Sequence, residues 1–550
     1  MPDPASCVRG APARLGVAVF AVTAVLYALA AAPVPFYTKA EPREALVARA
    51  ILDGYGVVLP LRDGTEIPSK PPLFHWLAAT AATVVRPAEL AMRMPSVVLG
   101  AAGVAVSAAV AAAASGPAAG VVAAAVLASA FEWLRAATES RVDMTLTFCV
   151  LLATLAWRAA LAGGDVVRVR AGWIAGAFAV LAKGPVGLVL PVLIAAASEV
   201  RTPSRLKRLV DVPAIAVAAV IAGGWYLLAW RVGGHAFLVR HVLQENLGRF
   251  LGRGVAGHAH PVWYYVPSLA VGLLPWTLAL PSPVRRLWRS RDGLDRFCLA
   301  WIAAVFVFYS LSTGKRPAYL LPLYPPLAIV TGRALAAGLE RPLPSVLAGV
   351  LRGAAVLLAA VGVTVAAVGI RGLEPRIASL LHRHDRAHLP LVVTLVEDNR
   401  VAILLVLLLA AGGLCLVGAR GRRRAAGLVA VAVAWTVGLA WVGTRPFANA
   451  LTPRAFAARV DAAVGDAPLC ARGWVDFDVR WYLARPLPHC TRRDPQVRFV
   501  LHPATASRGR HRRCVAVRLV DDRARTDEPL QLDEVLPDCH RPRRTAGDAS

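Results

Sequence analysis

Apolar runs of roughly 20 residues, the length that crosses a hydrocarbon core of about 30 Å, recur along this chain from about residue 15 to about residue 443. They predict helices over 15–33, 94–114, 117–134, 144–162, 172–182 joined to 184–199, 209–230, 263–281, 295–312, 318–335, 343–369, 397–418 and 425–443. Arginines between the runs orient them: Arg168 and Arg170, then Arg201, Arg205, Lys207 and Arg208, then Arg285, Arg286, Arg289 and Arg291, then Arg420, Arg422, Arg423 and Arg424. Short loops rich in Lys and Arg stay in the cytoplasm, so threading these points yields about thirteen crossings, with the N-terminus inside and the C-terminal tail outside. The first run is too long for a signal-peptide core and reads as an uncleaved anchor. Leu73 to Val85 is apolar but short, and reads as a helix at the outer interface or leaning on the second span. Lys183-Gly184-Pro185 interrupts 172–199 and predicts a tight outer turn, because a lysine at mid-bilayer is costly.

The pattern changes after Thr444. Phe456 to Val464 has the spacing of an amphipathic helix, whereas Val475 to Tyr482, Val497 to His502 and Val515 to Val520 alternate as short strands do. The expected fold class is therefore an all-α polytopic membrane protein over 1–443, with a long first outer loop at about 33–72. A small α/β extracytoplasmic domain over 444–550 follows it, disordered after about Arg541.

Composition agrees: 57% of the 550 residues are hydrophobic and 17% charged, too apolar and too sparsely charged for a soluble protein. The net charge of +27 sits largely in loops between apolar runs, which suits an anionic membrane surface and argues against nucleic acid as a partner. Four of the eight cysteines, Cys470, Cys490, Cys514 and Cys539, fall in the tail, where an oxidising compartment allows disulfides. His489 and His540 adjoin two of them, but no Cys-x-x-Cys pair is present to favour zinc.

Lysine usage points to chemistry. Only five occur among 61 basic residues, and Lys39, Lys70, Lys183 and Lys315 all fall on the predicted outer side, three of them against Pro or Gly at a span mouth. A lysine is a compact point charge suited to phosphate; snorkelling anchors would occur on both faces. The first loop adds Glu41-Pro42-Arg43-Glu44, and Asp143 opens a span directly before apolar residues, a depth at which an acid is usually paired or functional. A third segment holds Gln244-Glu245-Asn246 and His258-Ala259-His260, then Tyr264 and Tyr265; the histidines leave room for a divalent cation but carry no acidic cluster beside them. A fourth, Gly314-Lys315-Arg316-Pro317-Ala318-Tyr319, sets Lys315 and Tyr319 near the mouth.

In this order these segments resemble the GT-C membrane glycosyltransferases. Within them they are similar to the branch containing the lipid A aminoarabinose transferases and the protein O-mannosyltransferases. The matching stretches are Glu41-Pro42-Arg43, Ile67-Pro68-Ser69-Lys70-Pro71-Pro72-Leu73, Arg141-Val142-Asp143, Ala182-Lys183-Gly184-Pro185, Glu245-Asn246 with Arg249-Phe250, Pro261 to Pro267, Pro275-Trp276 and Gly314 to Tyr319. The resemblance implies a polyprenyl-phosphate sugar donor, used on the outer face of the inner membrane. Its acceptor would be lipid A, a protein or an envelope glycan, and the sugar would move by direct inverting displacement. It places Arg43, Lys70, Arg249 and Tyr319 at the donor phosphate, with Lys183 and Lys315 adding charge. Glu41 and Asp143 become the candidate catalytic carboxylates, either able to serve as base for the acceptor, and Glu245, Asn246, His260, Tyr264 and Tyr265 the candidate substrate contacts. The family's usual Asp before Glu41 is Ala40 here, its Tyr before Lys-Pro-Pro is Ile67, and its acid before that Lys is Ser69. A transporter of a lipid-linked substrate is the alternative from another class, but transporters place polar groups at the midplane of repeated halves, and no repeat is found. A silent membrane scaffold is the third reading.

Overall fold

A computed structural model describes residues 4–163, 165–248, 260–381, 386, 389–483, 485–490, 498–503, 515–521 and 529–535. The helices that position the site are α1 (Pro4–Ala31), α2 (Glu41–Leu52), α3 (Leu73–Val84), α4 (Ala88–Ser115), α5 (Pro117–Ser129), α6 (Phe131–Thr138) and α7 (Val142–Gly163). They continue with α8 (Val166–Lys183), α9 (Val186–Ser198), α10 (Val212–Phe237), α11 (Tyr265–Gly272), α12 (Pro281–Arg289), α13 (Gly293–Leu311), α14 (Tyr324–Ala336) and α15 (Ser345–Val368).

Among the described residues, 8 helices are long and apolar enough to cross a membrane, or 10 if each of two bent pairs is one span. All of these fall on predicted runs. The remaining expected crossings fail on length or charge. Helices α9 and α14 have 13 residues each, short of the roughly 20 a span needs, and α8 carries Arg168, Arg170 and Lys183. The chain is thus polytopic with fewer full-length spans than the hydrophobic runs alone suggested, because several runs are broken by turns. One such break is the predicted turn after Lys183: Gly184 adopts φ 94°, a conformation that suits glycine, and α9 starts at Val186.

Helix α4 is the hub, with 56% of its apolar window buried, against 11% for α15. It packs on α1, α3, α5, α6, α7 and α14. Two glycines admit α6: a Cβ on Gly100 would meet Ala137 at 2.7 Å, and one on Gly103 would meet the Trp133 ring at the same distance. That close approach fixes the segment 139–143 that follows α6. Helix α15 pairs with the helix Arg400–Val417 and leaves Val346, Val350, Leu357 and Val363 exposed, a surface suited to lipid tails as apolar as the side chains themselves.

The first loop is folded rather than solvated. Helix α2 forms where the sequence placed helical spacing, with Pro42 in its first turn and Arg49 in its last. Trp76 and Trp225 donate their indole N–H groups to the carbonyls of Val57 and Val58, each at 2.8 Å, and His241 meets the Pro68 carbonyl at 2.7 Å.

After the last span the chain shows no break at Thr444; helix runs on through Arg445–Leu451, and Arg454–Val464 then packs on a four-stranded sheet. The strands β1 (Leu469–Ala471), β2 (Phe499–Pro503), β3 (Val515–Val520) and β4 (Leu530–Val535) stand in the order β1-β2-β4-β3, with only β1 and β2 parallel. Cys470 and Cys490 form a disulfide; Cys514, Cys539 and the end expected to be disordered lie outside the described residues. The strand expected over 475–482 is instead the helix Phe477–Tyr482. Val475, Val479 and Leu483 face the sheet core, while Phe477 and Trp481 join Phe36, Leu46, Phe74 and Met92 of the first loop and its neighbours. Two apolar stripes, each spaced by four, mimic alternation in the sequence.

This helix docks the tail on the loop. Trp481 lies 5.1 Å from the Phe36 ring, edge to face, and under the Arg49 guanidinium at 3.8 Å. The Tyr482 hydroxyl accepts from Phe36 N at 2.8 Å and donates to Glu89 at 3.0 Å. Replacing a buried Trp by Ala costs about 3–5 kcal/mol. Trp481→Ala is therefore expected to let limited trypsin digestion release the tail, in detergent, at protease levels the native chain withstands; equal resistance would contradict the docking.

Candidate active site

Helix α2 sorts its charges to different sides. Glu41 points to a cavity of about 120 Å³ bounded by α1, α6 and residues 439–444. There it makes a paired bond with Arg93 of α4, Nε to Oε1 at 2.7 Å and an NH2 group to Oε2 at 3.0 Å, both side chains 1% exposed. Glu41 also accepts from the Ser140 amide at 3.0 Å, and Arg93 donates to the carbonyls of Ala31 and Val34. The pair thereby ties α2, α4, the end of α1 and the 139–143 segment together.

A second cavity opens on the neighbouring face of α2, lined by Ala40, Arg43, Glu44, Lys70, Arg141, Val142, Asp143, Lys183, Arg316, Ala318 and Tyr319. Five cationic side chains face two carboxylates here. Lys183, the last residue of α8, forms an ion pair with Asp143 in the first turn of α7. Its ammonium also lies 4.3 Å from the Tyr319 ring centre. Helix ends suit this arrangement, because carbonyls at a C-terminus favour a cation and amides at an N-terminus an anion. Arg141 pairs with Glu139, which Arg135 also holds at 3.1 Å. The Arg316 amide donates to the Tyr265 hydroxyl at 3.3 Å, fixing the turn that carries Tyr319. Two residues beyond Lys183, Pro185 begins an apolar groove of about 480 Å³ between α9 and α10, lined also by Leu188, Val189, Val192, Leu193 and Tyr226.

Residues 69–240 match the family described as dolichyl-phosphate-mannose-protein mannosyltransferase. Over 309 residues the chain is 32% identical to the undecaprenyl phosphate-alpha-4-amino-4-deoxy-L-arabinose arabinosyl transferase of Pseudomonas aeruginosa, covering 54% of this chain and 55% of that protein. The protein of the same name from Shewanella sediminis is 28% identical over 337 residues, covering 58% of this chain and 59% of its own length. The chain thus spans little more than half the length of the curated relatives it matches. The crystal structure of ArnT from Cupriavidus metallidurans bound to undecaprenyl phosphate superposes with a TM-score of 0.76 at 22% identity, covering 96% of this chain and 99% of that one. This chain shares that fold.

On that scaffold, Arg43, Lys70, Asp143, Lys183 and Tyr319 line one cavity although they come from five separate segments. Two of the expected catalytic and phosphate-binding residues do not. Glu41 is turned away and locked to Arg93, so its carboxylate is part of the framework rather than a free base. Lys315 is buried at 3% exposure and donates to the Ser312 carbonyl, while its neighbour Arg316 lines the cavity. Sequence reasoning also passed over Glu44, Arg141 and Arg316; the spacing of Ala40 and Glu44, four apart on one helix, was the available signal for Glu44. Tyr265 acts on the cavity through the Arg316 amide, and His260 stacks on Tyr264 at 4.1 Å, neither ring lining the cavity itself. The backbone at Glu245 and Asn246 is π-helical, within Leu238–Gly248; their side chains and Arg249 lie outside the described residues. No group of three or more His, Cys, Asp or Glu able to hold a metal ion occurs among the described residues.

Charge balance reaches the titration of the loop acids. Burial raises the Glu44 carboxyl, but Arg43, the His75 hydrogen bond and Arg62 outweigh it and hold it well below the usual range. Burial likewise raises Glu139, and Arg135 and Arg141 overturn that to leave it lowered. A depressed carboxylate stabilises the fold above its unfolded value, about 4.3 for Glu, and that contribution is lost as pH falls through the folded value. Thermal stability in detergent is expected to hold from pH 7 to about 5 and to fall below about 4, with a smaller fall in Glu44→Gln; a profile unchanged by that substitution would contradict the assignment. Arg93→Ala, which strands a buried Glu41, is expected to destabilise by about 3–5 kcal/mol, and Arg93→Ala with Glu41→Gln by less; equal losses by thermal shift would separate the two residues.

Proposed function

We propose that this chain is a glycosyltransferase. It would move a sugar from an undecaprenyl-type polyprenyl phosphate to a lipid A, protein or envelope-glycan acceptor on the outer face of the inner membrane. The observation that carries the reading is the excess of cations around one cavity at the ends of α7 and α8: Arg43, Lys70, Arg141, Lys183 and Arg316 against Glu44, Asp143 and the Glu139 that pairs with Arg141. A lipid phosphate brings the missing negative charge. The apolar groove that starts at Pro185 suits the first isoprene units of such a lipid, and burial of each methylene contributes about 0.8 kcal/mol. The names of the relatives point to the donor chemistry, undecaprenyl phosphate carrying an amino sugar. Loop charges and the Cys470–Cys490 disulfide support the outer side.

The chemistry follows from this charge. The bond between the anomeric carbon and the phosphate oxygen breaks, the electron pair leaves with phosphate, and the acceptor oxygen attacks the opposite face of the sugar with inversion. Arg43, Lys70 and Lys183, held in a site of low dielectric, stabilise the growing phosphate charge, where one fixed donor is worth about 10²–10³ in rate. Arg249, which lies outside the described residues, would add to them. A hydroxyl acceptor gives its proton to the Asp143 carboxylate, whereas a phosphate acceptor is already anionic and needs no base, which fits Ala40 in place of an acid. Glu245, Asn246, His260 and Tyr264 remain proposed contacts for sugar or acceptor. The cations that line the cavity supply this charge stabilisation from the chain itself.

Arg43→Ala and Lys70→Ala, each in membranes with a labelled undecaprenyl-linked sugar, are expected to lower transfer by at least about 10² while membrane insertion is kept. Undiminished turnover in either removes this assignment. Movement of intact donor without sugar release would indicate a transporter, and neither movement nor release a scaffold.

A further inference from the structure

Glu44 and His75 stand behind Arg43 in an arrangement that donor binding alone does not call for. Side chains at adjacent helix positions diverge by about 100°, so neighbours on a helix do not normally meet. Arg43 nonetheless folds back on Glu44: its Nε donates to Oε1 at 2.9 Å and an NH2 group to the same oxygen at 2.6 Å. The other carboxylate oxygen, Oε2, is 3.0 Å from Nε2 of His75 on α3. Glu44 is about 5% exposed and His75 is fully buried. Held ionised, the carboxylate only accepts, so Nε2 carries the hydrogen and donates.

The order of contacts is therefore ring, carboxylate, guanidinium, cavity. Resting on the donor-phosphate reading above, we infer that Glu44 and His75 are positioning residues that set the plane of the Arg43 guanidinium toward the donor phosphate. Glu44 is poorly suited to be the general base, because its two oxygens are already engaged by Arg43 and His75 and its proton affinity is low. Its task is geometric. A guanidinium is a planar fork whose value to a phosphate depends on orientation, and pinning Nε and one terminal nitrogen fixes that plane. Ala40, one helical turn before Glu44, presents only a methyl to the same cavity, so Glu44 is the acid that α2 offers there.

A double-mutant cycle on the full chain in lipid nanodiscs tests this. Binding of undecaprenyl phosphate is measured for the native protein, Arg43→Ala, Glu44→Gln and the double variant, with donor KM and kcat for each. Loss of a charged hydrogen-bond partner is expected to weaken binding about tenfold in Glu44→Gln, with KM rising more than kcat falls. In the Arg43→Ala background the same change is expected to add less than about twofold. His75→Gln, which keeps a donor amide facing Glu44, is expected to fall between native and Glu44→Gln, and it serves as the readout should Glu44→Gln not fold. A full tenfold loss in the Arg43→Ala background, or native binding in Glu44→Gln or His75→Gln, overturns the inference while leaving the donor reading intact. Native binding by Arg43→Ala overturns the donor reading and this inference with it.

Discussion

A carboxylate and a guanidinium shielded from water, Glu41 and Arg93, decide where helix α2 sits, and the cavity depends on where α2 sits. Neither charge is tolerable alone at that depth, since removing one partner strands the other. Together they bind the first loop to the hub helix α4, to the end of α1 and to the backbone at Ser140. With one side of α2 committed in this way, the helical repeat carries Arg43 and Glu44 to the other cavity and Leu46 and Arg49 to the tail. One short amphipathic helix thus joins framework, charged cavity and C-terminal domain.

The cavity itself is assembled from segment ends. Asp143 opens α7, Lys183 closes α8, and Tyr319 lies in a proline-rich turn held by the Tyr265 hydroxyl. Side chains at helix ends are displaced little by the packing of the spans, and backbone dipoles there favour the charges they carry. A lipid phosphate arriving from the apolar groove by Pro185 would meet cations without having to cross the hydrocarbon core. The docking of Trp481 and Tyr482 on Phe36 links this loop to the tail, so events at the cavity and at the C-terminal domain share one piece of packing.

Much of this was legible in the sequence. The span pattern, the break at Lys183, helix α2 and the convergence of Arg43, Lys70, Asp143, Lys183 and Tyr319 follow from hydrophobic runs, scarce lysines and a family resemblance. What escaped was rotation and partnership. Glu41 and Glu44 are three residues apart on one helix, yet a buried arginine 52 positions away determines which of them faces the cavity. Lys315 and Arg316 are neighbours, and only the turn geometry selects Arg316. The helix Phe477–Tyr482 read as a strand because it packs on two sides, a tertiary fact that local alternation does not contain.

The most direct measurement is an experimental structure of the full chain with undecaprenyl phosphate bound. The phosphorus is expected between α2, α7 and α8, its oxygens about 3 Å from nitrogens of Arg43, Lys70 and Lys183, with the first isoprene units along the groove at Pro185. A headgroup seated elsewhere, with Arg43 and Lys70 out of contact, would contradict that placement.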